Sequence, residues 1–265
     1  MTTTILDVQQ LAIDLGDKRL LYPMDFSIEA GEVVGLVGES GSGKTLTSLA
    51  IFQLLDKGLT QHGLIRLNGE ELTGMNEEVL RQRRGCELAM IMQNPMTAFS
   101  PLYTIGHQLI ELIRKHTACT KKQATEQACE ALSDVQLKNP AQLLKMYPFE
   151  LSGGMLQRVM IAFAAVLRPK LIIADEPTTA LDLYNQKEVL KHLEHIRVTH
   201  QTAILLISHD LSVIAEMADR VIVMEKGRVV EMTDVQSLFD APVHPYTKHL
   251  LNARLTYPTV EGGLS

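Results

Sequence analysis

The chain has 265 residues, 46% of them hydrophobic, which is enough for one large domain or two small ones around a substantial buried core. Its formal net charge of −6 leaves no electrostatic footprint for nucleic acid, so no nucleic-acid partner is expected. Three cysteines (Cys86, Cys119, Cys129) form no C-x-x-C pair and fit a reducing compartment better than a disulfide framework.

In chain order, the opening MTTTILDVQQ has neither a basic start nor a long apolar core, so no signal peptide is expected. No uninterrupted apolar stretch reaches the ~18 residues that span a bilayer. Residues 5–15 and 24–29 alternate and carry β-formers, which predicts antiparallel strands with one exposed face. The apolar run Val33–Val37 leads into GESGSGKT at 38–45, and a helical pattern follows to about residue 55. This is G-x-x-x-x-G-K-(S/T) with a strand before it and a helix after it. Gly38, Gly41 and Gly43, with Glu39, Ser40 and Ser42 between them, let backbone N–H groups turn inward around phosphate oxygens. The helix start and Lys44 add positive charge, and Thr45 can place its hydroxyl on Mg²⁺. The stretch reads as a nucleoside triphosphate site.

A strand at 64–68 lies within a polar region that reaches Arg84, and 88–93 (LAMIMQ) has the near-continuous apolar character of a buried parallel strand. From 94 to 167 the pattern turns helical, as in HQLIELIRKH and KKQATEQACEAL, which predicts a helical subdomain inserted between two strands of one sheet. Buried strands at 171–174, 203–207 and 221–224 alternate with helices at 186–198 and 211–218, the rhythm of a parallel sheet. Lys226-Gly227 turns into a hairpin strand at 228–231, and residues 254–265 read as a loose tail.

Several of these elements end on residues that carry chemistry. Asp175 and Glu176 close the apolar LIIA. A carboxylate delivered by a strand beside a phosphate loop is how P-loop enzymes hold Mg²⁺, and the adjoining Glu176 is placed to polarise an attacking water. Taken alone, the same pair is compatible with an acidic turn after a strand. Ser152 reads as an N-cap of the helix that follows. Gly153 and Gly154 behind it are poor helix formers, costing about 1 kcal/mol each relative to Ala, and make better sense if bare backbone must approach an anion. Gln93 is either a satisfied strand-end polar group or a sensor of Mg²⁺ and water. His209, after AILLIS, is either structural or catalytic.

In combination they say more. The order GESGSGKT, MQNP, LSGGM, LIIADEP, ALD and ISHD resembles the ATP-binding-cassette (ABC) ATPase family over roughly residues 5–240. The resemblance implies an α/β fold: a P-loop NTPase parallel-sheet core with an N-terminal antiparallel β subdomain and an inserted helical subdomain. The ATPase domain would occupy 1–240, with the insert at about 95–167 and a C-terminal segment at 241–265. ATP and Mg²⁺ are the implied ligands, with 38–45 as the phosphate loop and Thr45, Gln93 and Asp175 at Mg²⁺. Glu176 is then the catalytic base, and His209 contacts the γ-phosphate. Ser152, Gly153 and Gly154 form the signature that closes over a partner's nucleotide, and Asp182 lies in the loop facing the opposite subunit. Two departures stand out: the signature ends in Met155 where Gln is usual, and Leu15 holds the position of the adenine-stacking aromatic, with Tyr22 the nearest ring.

The stretch PVHPYTKHLL at 242–251 resembles the C-terminal signature of oligopeptide, dipeptide and nickel importer ATPases; locally it is also a helix start with Pro245 in the first turn. KMYPFELSGGMLQRVMIA and IMQNPMTAFSPLYT look closer to the nickel-importer branch. The resemblance therefore implies an ATPase subunit energising import of nickel or a metal chelate. A di- or oligopeptide importer is the first alternative and a soluble non-transport ABC ATPase the second. It further implies a second, non-identical ATPase, two membrane permease subunits, an extracytoplasmic binding protein reached through them, and a peripheral place on the cytoplasmic face of the membrane. Cargo metal would not meet this chain. His192 and His195, on one face of a polar helix, are accordingly expected to be solvated rather than ligands, and the absence of cysteines after Cys129 predicts no iron–sulfur cluster.

Overall fold

Alternating and continuous apolar patterns build two different sheets. The computed structural model describes residues 3–179 and 181–255. The alternating strands β1 (Thr4–Leu15), β2 (Lys18–Glu29) and β4 (Leu59–Leu67), with the short exposed β5 (Glu70–Glu71), form an antiparallel sheet in the order β2-β1-β4-β5. The continuous runs, joined at one edge by the mixed strand β10, form a six-stranded sheet in the order β10-β9-β3-β8-β7-β6. Its members are β3 (Val33–Val37), β6 (Leu88–Ile91), β7 (Leu171–Asp175), β8 (Ala203–Ile207), β9 (Arg220–Glu225) and β10 (Arg228–Asp234). Strands β3, β6, β7, β8 and β9 run parallel, and β10 is the antiparallel hairpin partner of β9.

Both faces of the parallel sheet are covered, so alternate residues of one strand enter two different cores. In β8, Ile204 and Leu206 pack against helices, whereas Ala203, Leu205 and Ile207 pack toward the antiparallel sheet. Every residue of β3 and of β8 is buried. Each fully buried aliphatic side chain contributes about 1.5–3 kcal/mol, which holds the strand ends rigidly where the loops leave them.

Helix α1 (Lys44–Ile51) follows the glycine loop, and α2 (Glu77–Cys86) precedes β6. Between β6 and β7 the chain inserts α3 (Pro95–Ala98), α4 (Ile105–His116), α5 (Lys121–Asp134), α6 (Pro140–Leu143) and α7 (Gly153–Ala165). Helices α8 (Leu183–His200), α9 (Leu211–Met217), α10 (Val235–Asp240) and α11 (Pro245–Leu255) complete the chain. No helix among the described residues is long and apolar enough to cross a membrane.

Three expectations need correction. Strand β2 begins at Lys18 rather than at residue 24, although Pro23 lies within it; β2 is an edge strand, where a missing N–H costs no ladder bond. Strand β4 begins at Leu59, because its polar residues face solvent beside β1 and mask the strand pattern. Helix α1 ends at Ile51, short of residue 55. The expected loose tail falls largely on residues 256–265, outside the described residues.

Candidate functional site

Strands β3, β8, β7 and β6 are consecutive neighbours, so the loops after their C-terminal ends meet along one edge. In an open parallel sheet that edge is where ligands bind. The four loops carry, in that order, the glycine loop, His209, the Asp175–Glu176 pair and Gln93.

The glycine loop has the backbone it needs. Gly38, Gly41 and Gly43 adopt φ of 154°, 79° and 107°. A Cβ on Gly38 would lie 2.2 Å from the Met224 carbonyl oxygen, and one on Gly43 would lie 2.3 Å from Leu21 Cδ2, so neither position admits a side chain. Gly41 faces open space, and Glu39, Ser40 and Thr45 are exposed. Lys44 is buried and folds back over the loop, with Nζ donating to Gly38 O at 2.7 Å and Glu39 O at 3.0 Å. Burial lowers its ammonium from the ordinary lysine range, against the opposing charges of Glu176 and Asp175. The Ser42 hydroxyl is buried and finds no hydrogen-bond partner among the described residues.

The two carboxylates beside the loop behave oppositely. Burial and the charge of Glu176 push the Asp175 carboxyl above its ordinary value, in spite of Lys44 and a hydrogen bond from Thr45. Glu176 is also pushed up by burial, but hydrogen bonds from His209 and Thr179 outweigh this and hold it below the ordinary range. Its carboxylate is a point of convergence. Gln93 Nε2 donates to Oε2 at 3.1 Å, Thr179 Oγ1 donates to the same oxygen at 2.8 Å, and His209 Nδ1 lies 3.0 Å from Oε1. Glu176 sits in the left-handed region at φ 49°, a conformation costing about 1–3 kcal/mol. Its N–H, donating to Ile207 O at 2.9 Å, pins that turn to the neighbouring strand.

The signature lies elsewhere on the chain. Ser152 N-caps α7, accepting from Met155 N at 3.4 Å, as its local sequence predicts. Ser152 and Gly153 are exposed, and a Cβ on Gly153 would touch nothing. Gly154 abuts Asn185, whose Oδ1 would lie 2.9 Å from an added Cβ. Asn185 in turn donates its Nδ2 to Asp182 at 2.7 Å, while Asp182 caps α8 by accepting from Asn185 N at 2.9 Å. The hydrogen bonds of Ser152, Gly154 and Asp182 thus stay within α7 and α8, and none of those among the described residues reaches the phosphate loop.

A family model described as "ABC transporter" matches residues 21–179. The chain belongs to the ABC transporter family. It is the ATP-binding, ATP-hydrolysing cassette of such a transporter. Over 254 residues this ABC ATPase is 44% identical to a dipeptide transport ATP-binding protein, DppD, of Escherichia coli (strain K12), covering 94% of this chain and 78% of that protein. It is 46% identical over 266 residues to an oligopeptide transport ATP-binding protein, AppD, of Bacillus subtilis (strain 168), covering 98% and 80%. Its fold matches a dimeric, post-hydrolysis structure of the cassette MJ0796 bound to ADP and Pi, with a TM-score of 0.77, 23% identity and coverage of 87% and 99%. It equally matches cbiO1 from Clostridium perfringens, with a TM-score of 0.77, 23% identity and coverage of 96% of each chain.

Other residues of the ABC ATPase behave as sequence reading did not foresee. His192, expected to be solvated, is 3% exposed, with Nε2 lacking a partner among the described residues; only His195 faces solvent. His192 lies three residues after Val189 and four before Ile196, both buried, which puts it on the packed side of α8, a placement its polar neighbours hide. No cluster of three or more His, Cys, Asp or Glu side chains among the described residues is placed to hold a metal ion. Leu15 is half exposed, and one face of the Tyr22 ring carries the Arg228 guanidinium, 3.3 Å from the centroid. Thr179 and Asn185, which no motif singles out, and Tyr246, within the 242–251 stretch but assigned no role by it, all touch candidate site residues.

Proposed function

We propose that this ABC ATPase powers a di- or oligopeptide importer, hydrolysing ATP at a site that two ATPase subunits complete together. The observation that carries the hydrolytic half is the Glu176 carboxylate, held by Gln93, Thr179 and His209 beside Lys44 and Asp175. Residues 38–45 wrap the phosphates and Lys44 neutralises them. Glu176, kept ionised by its partners, accepts a proton from the attacking water, and His209 contacts the γ-phosphate from the neighbouring strand end. Thr45 and Asp175, close enough that the Thr45 hydroxyl favours the ionised Asp175 carboxyl, supply two oxygen donors, with Gln93 at the neighbouring strand end. So sparse an oxygen set suits Mg²⁺, which keeps several waters and takes one or two carboxylates plus phosphate. When bound, the ion would offset charge on the transferred phosphoryl group.

Ser152 and Gly153 stand exposed, and nothing in this chain meets a Cβ added at Gly153, which supports the closing of Ser152, Gly153 and Gly154 over the nucleotide of a second ATPase, with Asp182 beside them. That second ATPase is non-identical and carries the usual signature Gln in place of Met155. Two permease subunits complete the membrane part, and a binding protein outside delivers the cargo. A cavity of about 250 Å³ is lined by Phe52, Met90, Met92, Phe99 and Phe163, and Met96, Leu102 and Tyr103, close to Phe99 in sequence, are exposed. This apolar surface follows directly on Gln93 and suits a permease helix on the cytoplasmic face of the membrane. We assign the ATPase unit to residues 1–240, with 95–167 inserted, and 241–265 to a C-terminal segment.

The branch-level resemblance pointed to nickel; the relatives described above carry dipeptide and oligopeptide names, and peptide is therefore the cargo class proposed. Uptake assays on the assembled complex separate the two: labelled di- and oligopeptides accumulate with ATP, and Ni²⁺ does not. For the chemistry, Glu176→Gln binds ATP as the wild type does and turns over at least about a hundredfold more slowly. Near-normal turnover would remove Glu176 from the role.

A further inference from the structure

The C-terminal helix reaches the phosphate loop through one side chain. Glu39 N–H donates to Tyr246 Oη at 3.0 Å, across 207 positions of sequence. That N–H belongs to the peptide group joining Gly38 to Glu39, and the carbonyl of the same peptide is Gly38 O, which receives Lys44 Nζ at 2.7 Å. A peptide unit is planar, with its N–H and C=O pointing in opposite directions. Holding the N–H therefore sets where the carbonyl points, and rotation of that peptide would break both bonds. At Gly38, where φ is 154°, no side chain resists that rotation, and these two bonds are what hold the peptide itself.

Tyr246 is itself firmly placed. The Glu231 carboxylate on β10 accepts from Val243 N and His244 N, each at 2.9 Å, and so fixes the start of α11. Tyr246 N donates to His244 Nδ1 at 3.2 Å, and the ring packs with Leu250 and Leu251 against the helical side of the core. A continuous path thus runs from β10 through α11 to the backbone that seats Lys44.

We propose that Tyr246 is a positioning residue for ATP: its hydroxyl orients the Gly38–Glu39 peptide, and through it the Lys44 ammonium, before the triphosphate arrives. This rests on the reading of residues 38–45 as the phosphate loop. The C-terminal segment is then a strut of the nucleotide site rather than an appendage to it.

Tyr246→Phe keeps the ring and removes only the hydroxyl. In the full chain, amide exchange at Glu39 should accelerate at least tenfold, while the melting temperature without nucleotide stays unchanged. ATP affinity should fall about threefold to tenfold, the range expected for one hydrogen bond. In the assembled complex KM for ATP should rise by the same factor, with kcat at saturation within twofold of wild type. Wild-type Glu39 protection, or faster exchange with wild-type ATP affinity, would overturn the proposal. So would a lowered melting temperature with kcat and KM both impaired, since that marks a merely structural role. ATP binding retained by Lys44→Ala would remove the loop reading and the proposal with it. Loss of ATP binding in Lys44→Ala alongside wild-type behaviour of Tyr246→Phe would overturn the proposal alone.

Discussion

The phosphate-loop edge and the signature end of the same chain are built on opposite plans. Along the sheet edge, Lys44, Asp175, Glu176, Gln93 and His209 engage one another or nearby backbone. Their positions are over-determined, and even a left-handed Glu176 is held in place. At the start of α7, Ser152 and Gly153 stand exposed with only a helix cap to satisfy, and Gly153 has empty space where a side chain would fit. A region that chemistry must find ready is packed into its geometry. The signature, for which we propose a partner from outside, leaves backbone donors free and carries helix-weakening glycines that uncover them.

The strongest break in the first plan is Lys44→Ala, which should abolish ATP binding at working nucleotide concentrations in a direct binding assay; wild-type affinity in that variant would detach the loop from the phosphates. The second plan is sharpened by Gly153→Ala. Nothing in the chain meets the added methyl, and Ala favours a helix over Gly by up to about 1 kcal/mol, so thermal unfolding of the isolated chain should shift upward. Turnover of the assembled pair should fall at the same time. A variant both more stable and fully active would mean the bare backbone serves no partner.

A smaller effect separates the two carboxylates of the sheet edge. Because burial and Glu176 raise the Asp175 carboxyl, its ionised form costs stability at neutral pH, and the cost is relieved as pH falls through that raised value toward the ordinary range. Glu176, held low by His209 and Thr179 against its burial, contributes stability above the ordinary glutamate value that is lost as pH falls through its depressed one. Asp175→Asn should therefore raise the melting temperature at pH 7 and Glu176→Gln should lower it. The same direction of shift for both would contradict the contrast.

The residues legible in the sequence were those whose local pattern and chemistry coincide. Strand β8 runs over 203–207 as expected, the glycine loop follows its strand, and α11 starts at Pro245. What escaped was what local pattern does not encode. Pro23 and the polar faces of β2 and β4 obscured strands whose exposure is set by their place at or near the edge of a sheet. His192 looked like a surface residue because its neighbours on α8 are polar, yet the helix turns it inward. Tyr246 reaches Glu39, and Asn185 joins Asp182 to Gly154, only because the topology folds distant segments together.

The central claim, that the signature of this chain covers a nucleotide held by another, is tested most directly at Ser152. In a chain carrying Ser152→Cys and Glu176→Gln, with Cys86, Cys119 and Cys129 replaced by Ser, the rate of thiol labelling reports exposure of the cap. The account predicts that ATP slows labelling at least tenfold in the complex assembled with the second ATPase and leaves it unchanged in the isolated chain. Equal labelling of the assembled complex with and without ATP, or protection by ATP in the chain alone, would contradict it.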